Sequence, residues 1–310
     1  MAWSDLRSWC LAPGLLLLSA AAVAAQPRAP ELRFETLGAV SAPAAINRTD
    51  VEHLRTIVRL VGLEDPGAAI RVIVVSEATD VARGTPAWIV GVAHGPSETV
   101  LLFPSRTPRY PHDSLPAVLH HEIAHVLIHR KASGQPVPRW FNEGLATVAE
   151  RAWSFEDRRV LAWALSADTP FRMHEIDSLF RQGPDASARA YALGFAFVRK
   201  IVERHGIDAP AAILDQLGQG TSFDDAFERV TRESLAGAER RFQLEIGSWE
   251  RWIPLLTSPF VLWTAMSLLA LYAIAVFRIR RIERRRNWED EEALETGAEE
   301  PAGTCTAGEE

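Results

Sequence analysis

The chain has 310 residues, 47% hydrophobic and 24% charged, with a formal net charge of −7. These values suit one ordinary globular domain plus membrane segments and exclude a repeat or low-complexity protein. The charge is unevenly spread: residues 278–310 hold six arginines against ten acids, a net of −4, and residues 1–25 sum to zero, so residues 26–277 carry only −3. So near-neutral a segment has no electrostatic footprint for nucleic acid.

Leu11 to Ala25 is a short apolar run after Arg7 that ends Val23-Ala24-Ala25, with small residues where a signal peptidase reads. Residues 1–25 are expected to be a signal peptide, cleaved from the mature chain; Asp5 offsets Arg7, which leaves an uncleaved anchor as the alternative. The two cysteines, Cys10 and Cys305, flank the central segment, so no disulfide, cysteine ligand or thiol nucleophile is available inside it. Residues 26–50 read as a linker that joins the fold near Leu32 or Phe34. Val51 to Val61 has helical apolar spacing behind Thr49-Asp50 as cap, closed by Gly62 and Pro66-Gly67. Ile70 to Val75 is a buried strand, Trp88 to Val92 and Thr99 to Phe103 are further strands, and His94-Gly95-Pro96 is the turn between the last two. The expected product is a small, antiparallel-leaning sheet. Residues 104–116, with Pro104, Pro108, Pro111 and Pro116, form a loop, and Asp113 or Ser114 caps the helix that follows.

That helix carries His121-Glu122-Ile123-Ala124-His125. Residues four apart share a helix face, so His121 and His125 aim two imidazoles at one point with Glu122 beside it, the geometry of a zinc site. A hydrolytic zinc takes three protein ligands and keeps one position open for water. Glu143, in Trp140-Phe141-Asn142-Glu143-Gly144-Leu145-Ala146, is the third ligand if its helix packs across the first, and Glu122 is then the general base. The longer pattern HExxHxxGxxH is excluded, because Ile128 and Lys131 occupy its glycine and histidine positions. His120 points about 100° from His121 and reads as an ordinary polar or capping residue. His129 shares the face of His125 but lies about a turn further along the axis, so it is set aside as a ligand. Leu119, Ile123, Val126 and Leu127 supply the core face of this helix. The second helix starts at Pro138 or Arg139, buries Trp140 or Phe141, Leu145, Val148 and Ala149, and its small Gly144 and Ala146 are expected to let it approach the histidine helix.

The run HHEIAHVLIH with WFNEGLA resembles the gluzincin metallopeptidases, and within them the bacterial peptidase MA-like group. The resemblance implies an α+β fold, a small N-terminal β-sheet packed on a predominantly helical zincin-like domain, here over residues 51–250. It implies a zinc cofactor, a peptide or protein substrate, and an edge strand able to pair with an extended substrate by β-augmentation. Many gluzincins carry an acidic residue four after the ligand glutamate to hold a histidine. That position is Thr147 here, which leaves Glu150, Thr147 or a backbone carbonyl as candidates. The same family commonly places a tyrosine after the second helix to face the developing oxyanion, and Tyr191, at the start of an amphipathic helix ended by Gly206, matches it. His205 and His174 are substitutes for that role. Phe223 to Val230 and Leu235 to Ile246 suggest two closing helices.

Ile253 to Phe277 gives 25 residues without a charge, longer as a helix than the ~30 Å hydrocarbon layer. Trp249, Trp252 and Trp263 gather toward one end and Arg278, Arg280, Arg281, Arg284, Arg285 and Arg286 crowd the other, so this is a transmembrane helix with its arginine flank in the cytoplasm. The expected location is a bacterial inner (cytoplasmic) membrane, crossed once, with the catalytic domain periplasmic or otherwise extracytoplasmic and the C-terminus cytoplasmic. Residues 278–310 form a basic, then acidic tail expected to be disordered from Glu289. The function expected is a membrane-anchored zinc metallopeptidase; a catalytically silent zincin-fold binding module is the rival, and hydrolysis of a non-peptide amide is a third possibility. Substrate preference, endo- or exopeptidase mode and oligomeric state are not legible in the residues.

Overall fold

A computed structural model describes residues 27–41, 43, 46, 50–165, 171–249 and 259–297. The expected signal segment lies outside them.

The first strand, β1, is Leu32–Leu37, followed by helix α1 (Val51–Val61), β2 (Ile70–Val75), a short helix α2 (Asp80–Gly84), β3 (Gly91–His94) and β4 (Thr99–Leu102). They make a four-stranded sheet in the order β1-β2-β4-β3. Part of the stretch expected to be linker is thus a strand. All of β1 after Leu32 is exposed, so it leaves no burial pattern in the sequence and is held by parallel main-chain pairing with β2, from Leu32 beside Ile70 to Leu37 beside Val75. Nor is the sheet antiparallel-leaning: β1 with β2 and β2 with β4 are parallel, and only β3 with β4 is antiparallel. A helix separates β1 from β2, and such a crossover returns the chain in the same direction where a two-residue hairpin would reverse it.

The α1 helix starts and stops where its sequence says. Asp50 accepts from the backbone N–H groups of Glu52 and His53, and Gly62 closes the helix in the left-handed region at φ 75°. The strand expected from Trp88 begins three residues later, at Gly91. Arg106, only 7% exposed, donates to the carbonyls of Ala82, Pro86 and Ile89, each at 3.0 Å, and to both oxygens of Glu77 at 2.9 Å. Those backbone groups are therefore engaged by a side chain before the ladder starts at Gly91.

Two helices, α3 (Leu115–Lys131) and α4 (Arg139–Glu150), lie at the centre. Ser114 caps α3, its Oγ accepting from Ala117 N at 3.3 Å. Ala117 to Ala124 and Val126 to Ile128 are all buried. The helix is buried nearly all round, and the core face of Leu119, Ile123, Val126 and Leu127 is where the spacing puts it. Pro138 offers α4 no side-chain cap, but Asp177 accepts from the N–H groups of Arg139 and Trp140 at 3.2 and 2.7 Å. The remaining helices of the domain are α5 (Phe155–Leu165), α6 (Met173–Leu179), α7 (Pro184–His205), α8 (Ala209–Gly218), α9 (Phe223–Thr231) and α10 (Leu235–Trp249).

Gly144 serves a different neighbour from the one expected. A Cβ there would meet the backbone oxygen of Gly194 on α7 at 2.5 Å, and one on Gly194 would meet the Trp140 carbonyl oxygen at 2.8 Å. The close helix approach is α4 on α7.

The last helix, α11, is Pro259–Gly297. It contains one stretch long and apolar enough to cross a membrane, Phe260–Ile282, with mean hydropathy 2.2 and none of it buried. At 1.5 Å per residue its 23 residues reach about 35 Å. Of the stretch expected to span, residues 253–258 lie outside the described residues. The tail differs from expectation: the helix continues through the arginines and first acids to Gly297. Nothing between Phe260 and Thr296 is Gly or Pro, and Arg, Glu, Ala and Leu are strong helix formers.

Candidate active site

His121, Glu122 and His125 project from α3 and Glu143 from the first turns of α4, where the two helices face each other across a cleft of about 620 Å³. Nε2 of His121 and Nε2 of His125 lie 3.3 and 3.4 Å from the same oxygen, Oε2 of Glu143. The two rings stand at 88° with centroids 4.6 Å apart. The other nitrogen of each ring is occupied. Nδ1 of His121 donates to Oε2 of Glu150 at 3.1 Å, and Nδ1 of His125 donates to Oδ1 of Asn142 at 2.8 Å. A carboxylate and an amide oxygen can only accept, so each Nδ1 carries a hydrogen and each Nε2 is turned inward to the Glu143 oxygen.

The electrostatics follow from that crowding. Burial works against a charged His121, but the Glu143 and Glu150 carboxylates outweigh it and raise its pKa to about 10. Burial would raise Glu143, yet His125 and His121 hold it well below the usual carboxylate range, and His112 with His121 likewise brings Glu150 down to about 2. Glu122 is different: burial raises its pKa, only partly offset by His125 and His121. Among the described residues its carboxylate has no hydrogen-bond partner.

These residues pass a donor-set test for a metal. The ligand atoms of His121, His125 and Glu143 all lie within 4.8 Å of one another, two imidazoles and one carboxylate is a set that zinc takes in hydrolytic sites, and the outer hydrogen bonds that orient such ligands are in place. His112, Glu150 and His121 form a second, overlapping group.

Tyr191 lines the same cleft, its ring centroid 6.2 Å from that of His121 and 6.4 Å from that of His112. Burial, then the Glu143 and Glu122 charges, push its hydroxyl pKa well up, which keeps it a hydrogen donor. The substitutes lie elsewhere: His174 is exposed on α6, and His205 ends α7 outside the cleft. His120 stacks on His53 at 4.1 Å, and His53 donates to the Ala149 carbonyl at 3.0 Å. His129 sits against Gly95 at the cleft wall, apart from the ligand group.

His112 escaped the sequence reading. Its Nδ1 donates to Glu150 at 2.9 Å, beside the bond from His121, and its ring meets that of His121 edge to face at 4.6 Å. It comes from an irregular loop nine residues ahead of His121, and no periodicity marks such a position. The loop is tied down by Arg151, which donates to the Pro111 carbonyl at 3.1 Å and pairs with Asp157 at 2.6 and 2.7 Å.

The opposite wall is strand β3 with the residues before it, Trp88 to Ala93. As an edge of the sheet it pairs only with β4. The Phe103 N–H bonds the Val90 carbonyl at 3.0 Å, so by antiparallel alternation the outward-facing N–H and C=O groups belong to Gly91 and Ala93.

No curated protein matches the chain. A family model of the Peptidase MA superfamily matches residues 72–248, from within β2 to the end of α10, a span that holds every residue of the cleft just described. With more than half of its length matched, the chain belongs to the Peptidase MA superfamily.

Proposed function

We propose that this chain is a zinc-dependent peptidase of the gluzincin type, anchored by α11 with its catalytic domain on the outer side of a cytoplasmic membrane. The observation that carries this reading is the convergence of two inward Nε2 atoms and the Glu143 carboxylate, with each outer nitrogen already taken by Glu150 or Asn142. His121, His125 and Glu143 would hold the metal. Bound there, zinc lowers the pKa of a water toward ~7 and polarises a scissile carbonyl.

The side chains supply the rest. Glu122, buried at the cleft floor with a raised pKa and no competing hydrogen bond, takes a proton from the attacking water at its carboxylate and delivers it to the leaving amine nitrogen. Tyr191 donates its hydroxyl hydrogen to the carbonyl oxygen as negative charge develops on it. An extended peptide adds to the sheet at the outward groups of Gly91 and Ala93, which fixes its backbone beside the base. A glutamate with no competing hydrogen bond among the described residues and an intact ligand set favour catalysis over a silent binding module.

The arginines from Arg278 to Arg286 support a cytoplasmic C-terminal flank, and residues 1–25 support export. Metal analysis of purified chain tests the ligand set. Wild type should carry a single zinc equivalent and His125→Ala almost none; a full equivalent in His125→Ala would refute it.

A further inference from the structure

Resting on the reading of Glu122 as the base, we propose that Gly91 is its positioning residue, the absent side chain letting β3 close onto the glutamate and fix where its carboxylate points. A Cβ at position 91 would lie 2.7 Å from Oε1 and 2.8 Å from Cγ of Glu122, and 2.7 Å from Cγ1 of Val118 one turn earlier on α3. Real Cβ atoms do not approach other heavy atoms so closely. Gly91 does not occupy the left-handed region, so the backbone itself would accept alanine. What forbids a side chain here is Glu122 together with Val118.

The contact matters because nothing else orients that carboxylate. His121 and His125 are each held through Nδ1, whereas Glu122 has no hydrogen bond among the described residues and is 5% exposed. Its direction is set by packing between α3 and β3. That packing is repeated further along: positions 91, 93 and 95 share one face and read Gly, Ala, Gly. A Cβ on Gly95 would meet His129 Cγ at 2.4 Å. The strand and the turn that follows it are therefore seated on α3 at two points, at Glu122 and two turns later at His129. Its outward N–H and C=O groups at Gly91 are thereby locked in register with the base, so one residue both receives the substrate backbone and aims the glutamate.

Steady-state kinetics on full-length, zinc-loaded chain in detergent, with a quenched-fluorescent peptide library as substrate, tests this. Gly91→Ala should keep its zinc and lower kcat about 10- to 100-fold, the scale set by a misplacement of ~1 Å, with KM little changed. Gly84→Ala makes the same chemical change where no atom lies within 4 Å and should behave as wild type. A zinc-bearing Gly91→Ala protein with wild-type kcat overturns the proposal. If Gly91→Ala does not fold, the double variant Gly91→Ala with Val118→Ala removes one crowded contact and leaves the one with Glu122: a low kcat supports the proposal and a wild-type kcat overturns it. Glu122→Gln measured alongside separates the two failures, since an active Glu122→Gln refutes the base assignment itself, whereas an inactive one beside a fully active Gly91→Ala refutes only the role of the glycine.

Discussion

Glu150 shows how a histidine is held when the usual position cannot do it. Thr147, four residues after Glu143, donates its hydroxyl to the Glu143 carbonyl at 2.8 Å, and the acceptor that His121 finds is Glu150. Seven residues after Glu143 the helix has made two turns and again faces the site, and there Glu150 accepts from His121 and His112 together. Removing such an outer partner typically weakens metal binding 10- to 100-fold. Glu150→Gln and Asn142→Ala should each weaken zinc by that factor in a chelator competition, and affinities within about twofold of wild type would contradict the orienting roles. His121, Glu122, His125 and Glu143 were legible because helical spacing and residue type speak together. Asn142 was visible only as a neighbour, and His112 not at all, since its place depends on a loop tied down by Arg151 across forty residues of chain.

Among the elements, the helices and their ends were readable from caps and glycines, while the pairing of strands and helices was not. Gly144 and Gly194 carry no periodic signal that they face each other, and small residues on a helix say that something approaches without saying what. Gly144→Ala should destabilise the domain by about 1–3 kcal/mol through overpacking against Gly194, read as a lowered denaturant midpoint; an unchanged midpoint would contradict the contact. The loop that carries His112 depends on the pair of Arg151 and Asp157. Burial would raise the Asp157 carboxyl, but Arg151 and the Ser154 hydrogen bonds outweigh it and hold its pKa below the usual carboxylate range. A carboxyl with a lower pKa folded than unfolded adds stability above the unfolded value of ~3.9, and loses that contribution as pH falls through the folded value. Asp157→Asn should therefore cost about 3–5 kcal/mol at pH 7, and its gap from wild type should close as pH drops below ~4. A gap of equal size at pH 3 and pH 7 would contradict the pairing.

For the molecule as a whole, composition and the apolar runs foretold one globular domain joined to a long apolar helix, because such sums survive any detail of packing, while the α+β class came with the family resemblance. The mixed sheet was hidden for the opposite reason: β1 buries little and is defined by a partner thirty-eight residues away. The proposed topology predicts that the full chain stays with membranes through alkaline carbonate extraction, whereas recovery in the supernatant would contradict a spanning α11. The central claim is hydrolysis by a base at Glu122 on a zinc site that does not need it for binding. Purified Glu122→Gln, assayed for zinc content and for cleavage of a quenched peptide library beside wild type, tests this most directly. The predicted result is a full zinc complement with cleavage reduced about 10²- to 10⁴-fold; a zinc-loaded Glu122→Gln protein that cleaves as fast as wild type would contradict it.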